Sequence, residues 1–291
     1  MLEQFLQYLF SGVTVGATYA LAALGFALIY NASHVINFAQ GEFIMLGGML
    51  SVMFTQWGLP LWAALPLAIA LPAVVGVLIE KLAIEPVKGA DTVVLIIITI
   101  GASLFIRGLT AVFLGKGTFS LAPFSGDTPI NILGATLQPQ SLWVLGGTAL
   151  AVLALWWFFT RTLQGKAMLA TAANRLAAQL VGIPTGWVLL MSFAMSAALG
   201  ALGGILLAPI TTTSYDGGIM LGLKGFVAAV LGGMGNGLGA VVGGLLVGIL
   251  EAMGAGYISS AYKDAIPFVL ILLILFFMPN GLFGGKSTER V

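Results

Sequence analysis

The chain has 291 residues, of which 59% are hydrophobic and only 7% are charged, and its formal net charge is +1. Soluble domains carry about 25% charged residues, so this composition excludes a water-soluble protein and indicates an integral membrane protein. A net charge so close to zero argues against nucleic-acid binding, and the absence of cysteine excludes disulfides and thiolate chemistry.

Long, continuous apolar runs predict transmembrane helices rather than a β-barrel, whose strands would alternate in character over about ten residues. A bilayer core of about 30 Å requires about 20 apolar residues per helix. We predict an all-α polytopic bundle of eight full spans plus one short or re-entrant helix, with no soluble domain. The predicted segments lie near 5–30, 36–56, 61–80, 92–114, 141–160, 187–208, 219–235, 238–256 and 265–283. The doubtful segment is 219–235, which is short and glycine-rich.

The positions of the basic residues predict the orientation of the bundle, because short cytoplasmic loops carry an excess of Lys and Arg. Two loops, 81–91 and 161–186, and the C-terminal tail hold seven of the eleven basic residues: Lys81, Lys88, Arg161, Lys166, Arg175, Lys286 and Arg290. Two spans separate the loops, so both are expected in the cytoplasm, with 115–140 and the N-terminus outside. A cytoplasmic tail requires an even number of crossings after residue 186, which favours counting 219–235 as a crossing.

Glycines four residues apart recur in the predicted spans and predict close helix packing, because small residues at this spacing let backbones approach in lipid. The alternative interpretation is a smooth interface along which helices slide during gating. The pairs are Gly12 with Gly16, Gly239 with Gly243, and Gly244 with Gly248.

Three polar side chains, Asn37, Gln40 and Glu42, occur within six residues at the start of the second predicted span. A charge inside a bilayer costs about 3 kcal/mol on insertion scales, so a carboxylate there requires a reason. One interpretation is a polar seam that faces a translocation path. The other is an internal hydrogen bond or ion pair that fixes the bundle, and the sequence leaves both open.

Other ionisable residues within the spans are compatible with a Glu42–Arg107 or a Lys224–Glu251 ion pair, although the sequence does not assign partners. The chain has no HExxH or GxSxG motif and no cluster with metal-ligand spacing, so we predict no catalytic residues, no metal site and no cofactor. An intramembrane enzyme is therefore disfavoured.

The stretch "TAANRLAAQLVGIP" (171–184) interrupts the apolar spans and predicts a short helix over 166–182. One face would be apolar at helical spacing, formed by Leu169, Ala173, Leu176 and Leu180. Gly182 is expected to end the helix, and Pro184 to prevent it from resuming before the next span. Ala177 and Ala178 are small, so a partner protein could approach this helix closely. The alternative is a helix on the lipid headgroups with Arg175 snorkelling.

Residues 176–182, "LAAQLVG", resemble the EAA---G loop of ATP-binding-cassette (ABC) importer permeases, with Leu176 where that motif usually has Glu. Three longer blocks are similar to branched-chain amino acid permeases of the LivH type: "GATYALAALGFALIYNASHVINFAQGE" (16–42), "GLKGFVAAVLGGMGNGLGAVVGGLLVGILE" (222–251) and "YKDAIPFVLILLILFFMPNGLFG" (262–284). The order of the blocks is kept over most of the chain, whereas 115–140 matches little.

The resemblance implies a single permease domain over 1–291, with a cytoplasmic coupling loop at 161–186, in a bacterial inner membrane. It also implies a second permease subunit, expected to be a different chain, two cytoplasmic ATP-binding subunits that hydrolyse ATP, and a periplasmic or extracellular solute-binding protein. The residues implied in the ATPase contact are Asn174, Arg175, Ala177, Ala178 and Gly182.

Three alternatives to a branched-chain amino acid importer remain open. The same machine could carry urea, amides or another small polar solute, because urea permeases share these blocks. An ion-coupled secondary transporter would require a coupling-ion site and two related halves, and we find no convincing internal repeat. A channel would transport without nucleotide.

Overall fold

The computed structural model describes residues 2–87 and 89–284, so Lys88, Lys286 and Arg290 of the predicted cytoplasmic cations lie outside it. The described residues form a helical bundle: α1 Leu2–Ser33, α2 Gln40–Gln56, α3 Leu61–Ile79, α4 Thr92–Phe113, α5 Pro139–Arg161, α6 Leu163–Ala173, α7 Arg175–Leu180, α8 Thr185–Leu207, α9 Gly218–Gly232, α10 Gly237–Tyr257 and α11 Ala265–Phe277. Helix α3 continues through a π-helical turn, Glu80–Ile84, into a 3₁₀ turn, Glu85–Val87.

Six of the described helices are long and apolar enough to cross a membrane, namely α1, α3 with its extension to Val87, α4, α5, α8 and α10. The other helices in predicted spans are shorter, with 17 residues in α2, 15 in α9 and 13 in α11. At 1.5 Å per residue they measure about 26, 22 and 20 Å. The predicted helical membrane bundle is confirmed, whereas eight full-length spans are not found as eight long helices.

Two predicted spans are shorter than expected for local reasons. The second begins at Gln40 and not near residue 36, because the Ala39 N–H donates to Asn37 Oδ1 (3.1 Å), a side-chain bond that competes with helical backbone pairing. The last ends at Phe277, because Pro279 disfavours helical backbone at Met278, which has φ −136° and ψ 74°.

The bundle has two distinguishable ends. At the end that holds α7, Asn31 of α1 donates to the Gly235 carbonyl between α9 and α10 (2.8 Å), and Leu282 N–H donates to the Leu231 carbonyl (2.8 Å). The extension of α3 at Val87 also lies at this end, across a cavity from α7. The described parts of the two basic loops therefore share one end, as predicted.

A short hairpin marks the opposite end and departs from the all-α prediction. Strands β1 Ile130–Ile132 and β2 Ala135–Leu137 pair antiparallel. Leu133 and Gly134 both have positive φ, 51° and 85°, as a two-residue turn of the type common in hairpins requires. The hairpin is tied to α1, because Thr136 N–H donates to Gln7 Oε1 (2.8 Å).

The glycine pairs lie where helices approach most closely, which confirms the packing prediction. A Cβ on Gly16 of α1 would lie 2.9 Å from the Gly244 carbonyl oxygen of α10, and one on Gly12 would lie 2.7 Å from Ile249 Cα. The opposite face of α10 meets α9, where a Cβ on Gly243 would lie 3.0 Å from the Gly232 nitrogen. Helix α10 therefore packs through its backbone against both α1 and α9.

We expect Gly248→Ala to destabilise the bundle by about 1–3 kcal/mol, because the new methyl group would collide with the Gly16 backbone and force α1 and α10 apart. The matched control is Gly146→Ala on α5, where a Cβ would meet no atom within 4 Å. Thermal unfolding of both variants in lipid nanodiscs measures the difference. Equal midpoints for the two variants would contradict this account of the α1–α10 contact.

Candidate functional site

The first turn of α2 lies inside the bundle and not at its edge. A Cβ on Gly25 of α1 would collide with the Gln40 side-chain amide, and Gly25 lies about 12 Å from the end of α1 at Ser33,. The chain reaches this depth through the non-helical stretch 34–39, in which Asn37 is buried. Irregular backbone is tolerated at membrane depth only where protein supplies partners, and here Phe38 N–H donates to Thr99 Oγ1 of α4 (3.2 Å).

Gln40 is fully buried and joins three helices. Its Nε2 donates to the Ser196 carbonyl of α8 (3.2 Å), and Ser196 Oγ lies 2.6 Å from Gln40 Oε1 and 2.8 Å from the Gly25 carbonyl of α1. Both ends of the Gln40 amide therefore have partners, so the side chain fixes α1, α2 and α8 together.

Glu42, two residues further, faces α4. Its Oε1 accepts hydrogen bonds from Ser103 Oγ (2.8 Å) and Arg107 Nη2 (2.8 Å), and Arg107 Nη2 also lies 3.2 Å from Ser103 Oγ. The Glu42–Arg107 ion pair that the sequence allowed is therefore present. Ser103 was not predicted. The sequence nevertheless contains a signal for it, because Thr99, Ser103 and Thr110 lie three or four residues apart from one another or from Arg107, which places them on one face of α4.

The Glu42–Arg107 pair is only partly satisfied. Glu42 Oε2 and Arg107 Nε are buried and have no hydrogen-bond partner. An unsatisfied buried polar group costs about 1–3 kcal/mol, and a charged one more. Both residues line a cavity of about 130 Å³ between α2, α4 and α9.

The three predicted residues do not form one seam. Asn37 lies before α2, so it does not share a helix with Gln40 and Glu42. Asn37 instead lines a separate cavity of about 410 Å³ with Thr99, while Glu42 lines the smaller one and Gln40 lies against α1 and α8.

The larger cavity brings the predicted loop helix to the polar residues. Arg175 and Gln179 of α7 line it together with Asn37 and Thr99. Gln179 Nε2 also donates to Thr185 Oγ1 at the start of α8 (2.8 Å), so α7 is tied directly to a long helix of the bundle.

The single helix predicted over 166–182 is wrong, because the chain breaks at Asn174 into α6 and α7. Asn174 has extended backbone, φ −158° and ψ 105°, and its Oδ1 accepts from the Ala177 N–H (2.9 Å). This is helix capping, which Asn performs well. Gly182, with φ 86°, ends α7 as expected.

Only one of the two alanines that were predicted to face a partner protein is exposed on α7. Ala178 is 3% exposed and packs inward, so it offers no surface to a partner, whereas Ala177 is exposed. Leu176 and Leu180, 74% and 88% exposed, form an uncovered apolar pair one helical turn apart,.

A second ionic cluster joins α1, α9, α10 and the loop before α11. Lys224 Nζ lies 2.7 Å from Glu251 Oε1 and 2.6 Å from Asp264 Oδ1, and Tyr19 Oη donates to Glu251 Oε2 (2.9 Å). The Lys224–Glu251 pair allowed by the sequence is therefore present. The hydrogen bond from Lys224 holds the pKa of Asp264 below its usual value, so Asp264 contributes stability that is lost only as the pH falls through that lowered pKa.

Comparison with known proteins places this chain in a family. Residues 8–275 match the model of the family described as branched-chain amino acid transport system / permease component. The chain belongs to this family. It is 36% identical to the high-affinity branched-chain amino acid transport system permease protein LivH of Escherichia coli (strain K12), and 34% identical to BraD of Pseudomonas aeruginosa, over 99% of this chain and 98% of each relative. It is 28% identical to the probable LivH of Methanocaldococcus jannaschii, over 93% of this chain and 90% of that protein.

Family membership and the six long apolar helices make the chain a multi-pass transport protein of the bacterial inner membrane. Within residues 2–87 and 89–284, no group of three or more His, Asp or Glu side chains could hold a metal ion.

We expect Lys224→Met to destabilise the protein by about 3 kcal/mol, because the buried carboxylate of Glu251 would lose its counter-ion. Adding Glu251→Leu should restore part of this loss, because a hydrophobic pair can replace a buried ion pair at small cost. Thermal unfolding in nanodiscs provides the measurement. A double variant as unstable as the sum of the two single variants would show that the residues do not act as a pair.

Proposed function

We propose that this chain is a permease subunit of an ABC importer and forms part of the translocation path for branched-chain or related amino acids. The observation that carries the proposal is the identity of 34–36% to LivH and BraD over nearly the full length of all three chains. A second permease subunit, a different chain, completes the path. Two cytoplasmic ATP-binding subunits hydrolyse ATP, and an outer solute-binding protein delivers the solute.

The proposed topology has eight crossings plus the short helix α9, with the α7 end in the cytoplasm. Helices α2 and α11 are shorter than a bilayer core, and the stretches 34–39 and 278–284 extend their paths. The connection between α8 and α9 reaches the hairpin end, since Thr213 and Phe119 exchange backbone hydrogen bonds (2.8 and 2.7 Å), and α9 returns to the α7 end. This path supports counting α9 as a short crossing, and it leaves an even number of crossings after residue 186.

The whole chain, 1–291, acts in this proposal as one permease domain whose coupling loop is 161–186. Helix α7 is the coupling helix, because its exposed Leu176 and Leu180 suit a groove on an ATPase. The predicted contact residues divide by position. Asn174 caps α7, Ala177 and Gly182 are exposed around it, Arg175 lines the larger cavity, and the buried Ala178 serves packing.

The translocation path runs beside the buried face of α4. Asn37 and Glu42 line the two cavities at this face, which supports their proposed place in the path. Gln40, the third predicted residue, acts by holding the start of α2 against α1 and α8. Charged groups of both signs beside the smaller cavity favour a charged solute over urea or an amide.

Reconstitution tests the proposed function. Liposomes that contain this chain, its partner permease, two ATPases and the binding protein should accumulate leucine against its gradient only when ATP is supplied. Urea in place of leucine tests the alternative cargo. Accumulation driven by an ion gradient without ATP would identify a secondary transporter, and nucleotide-independent equilibration would identify a channel.

Cross-linking tests the coupling helix. The native chain has no cysteine, so Leu176→Cys carries a single thiol, and a cysteine-reactive cross-linker should join it to an ATPase subunit. The matched control is Leu133→Cys in the hairpin turn, which is as exposed (75% against 74%) but lies at the opposite end. Equal capture of the ATPase by both variants, or by neither in an active complex, would remove α7 from the contact.

A further inference from the structure

We infer that Glu42, Ser103 and Arg107 form a binding site for the zwitterionic head of an amino acid with an apolar side chain. The inference rests on the proposed function, because it places a solute contact inside the translocation path. It adds a specific chemistry: the carboxylate of Glu42 receives the solute ammonium group, and the guanidinium of Arg107 receives the solute carboxylate.

The inference rests on the hydrogen-bonding atoms that the ion pair leaves without partners. Within the described residues, three buried side-chain atoms lack a hydrogen-bond partner, and two of them are Glu42 Oε2 and Arg107 Nε. Each group already uses one atom in the pair, Glu42 Oε1 and Arg107 Nη2. One carboxylate oxygen and one guanidinium N–H are therefore left without partners in two residues that line the same cavity, and a zwitterion carries the two complementary groups.

A purely structural ion pair would have a different pattern. The Lys224 cluster has this pattern, since both oxygens of Glu251 are bonded, one to Lys224 and one to Tyr19, and none of the buried side-chain atoms without a partner belongs to it. The comparison shows that this fold can saturate a buried carboxylate completely. By contrast, only one of the two carboxylate oxygens of Glu42 is hydrogen-bonded, and Glu42 lines a cavity.

The walls of the cavity suit an apolar side chain. Phe26, Phe38 and Phe226 line it from α1, the stretch before α2, and α9. At the edge of the cavity, Gly41 of α2 and Gly222 of α9 lie so close that a Cβ on Gly222 would be 2.8 Å from Gly41 Cα. The absence of side chains at these two positions therefore lets α2 and α9 approach each other. The cavity of about 130 Å³ is smaller than the roughly 300 Å³ of sites for drug-sized ligands, which restricts the occupant to a small solute.

The two charged side chains of the site differ in their exposure. The Arg107 side chain is 21% exposed, whereas Glu42 is 1% exposed. A solute carboxylate therefore meets Arg107 first, and the ammonium group binds once the buried Glu42 Oε2 turns towards the cavity. Ser103 bonds to Glu42 Oε1 and holds the carboxylate in place during this exchange.

The test uses the complete transporter in nanodiscs without its binding protein, and the thermal unfolding midpoint as readout. The probes are L-leucine, 3-methylbutylamine, which lacks the carboxylate, and 4-methylpentanoate, which lacks the ammonium group. Leucine should raise the midpoint more than either single-charge probe. Glu42→Gln should weaken leucine and the amine by about tenfold or more in apparent Kd, and Arg107→Gln should do the same for leucine and the acid.

The control variant is Glu251→Gln, which also removes a buried carboxylate but lies outside the cavity, so it should leave the apparent Kd for leucine unchanged. If Glu42→Gln or Arg107→Gln fails to fold, the Ser103→Ala variant and the comparison of the three probes on the native protein test the binding site instead. No shift of the native protein by leucine, or variants that bind all probes within about twofold of native, would overturn the site. Failure of ATP-driven leucine uptake by the native complex would instead overturn the proposed function.

Discussion

The cost of leaving a polar group unpaired inside an apolar bundle is the constraint on which this structure depends. Buried Ser and Thr side chains such as Thr14, Ser51 and Ser192 meet it by bonding to the backbone of their own helix. The longer polar side chains bond to other helices, and those bonds hold the bundle together. Gln40 joins α1, α2 and α8, and Lys224 joins α9 to α10 and to the loop before α11. Of the described residues, the buried atoms without partners belong to Asn37, Glu42 and Arg107, all of which line cavities. The exceptions to the constraint are therefore residues that line cavities.

Glycine makes this arrangement sterically feasible. Buried hydrogen bonds between helices require short distances, and side chains at the crossing points would keep the backbones apart. Gly25 leaves room for the Gln40 amide, and Gly41 with Gly218 brings α9 against the first turn of α2. The short helix α9 is stabilised at its other end, where Phe283 N–H donates to the Gly232 carbonyl (3.1 Å). Tertiary partners thus compensate for the helical length that α9 lacks.

The sequence predicts those features that composition and spacing determine. Apolar runs located the helices, the four-residue glycine spacing located their contacts, and the scarcity of intramembrane charge limited the ion pairs to a few combinations. Features set by one local hydrogen bond were missed, such as the break at Asn174 and the late start of α2. The directions of Gln40 and Glu42 were also out of reach, because they depend on which helices surround α2. Ser103 could have been found from its spacing with Arg107 along α4.

The position of α7 explains how an external force could reach the polar face of α4. Helix α7 is joined to α8 through the Gln179–Thr185 bond (2.8 Å), and the turn between the two helices is fixed by Ile183 N–H, which donates to the Ala178 carbonyl (2.9 Å). Helix α8 in turn holds the start of α2 through Ser196. In the proposed importer, a displacement of α7 would move α8 as a rigid element and shift the first turn of α2. Because Glu42 lies in that turn, the same displacement would change its distance from α4, and with it the contact that we propose to bind the solute head.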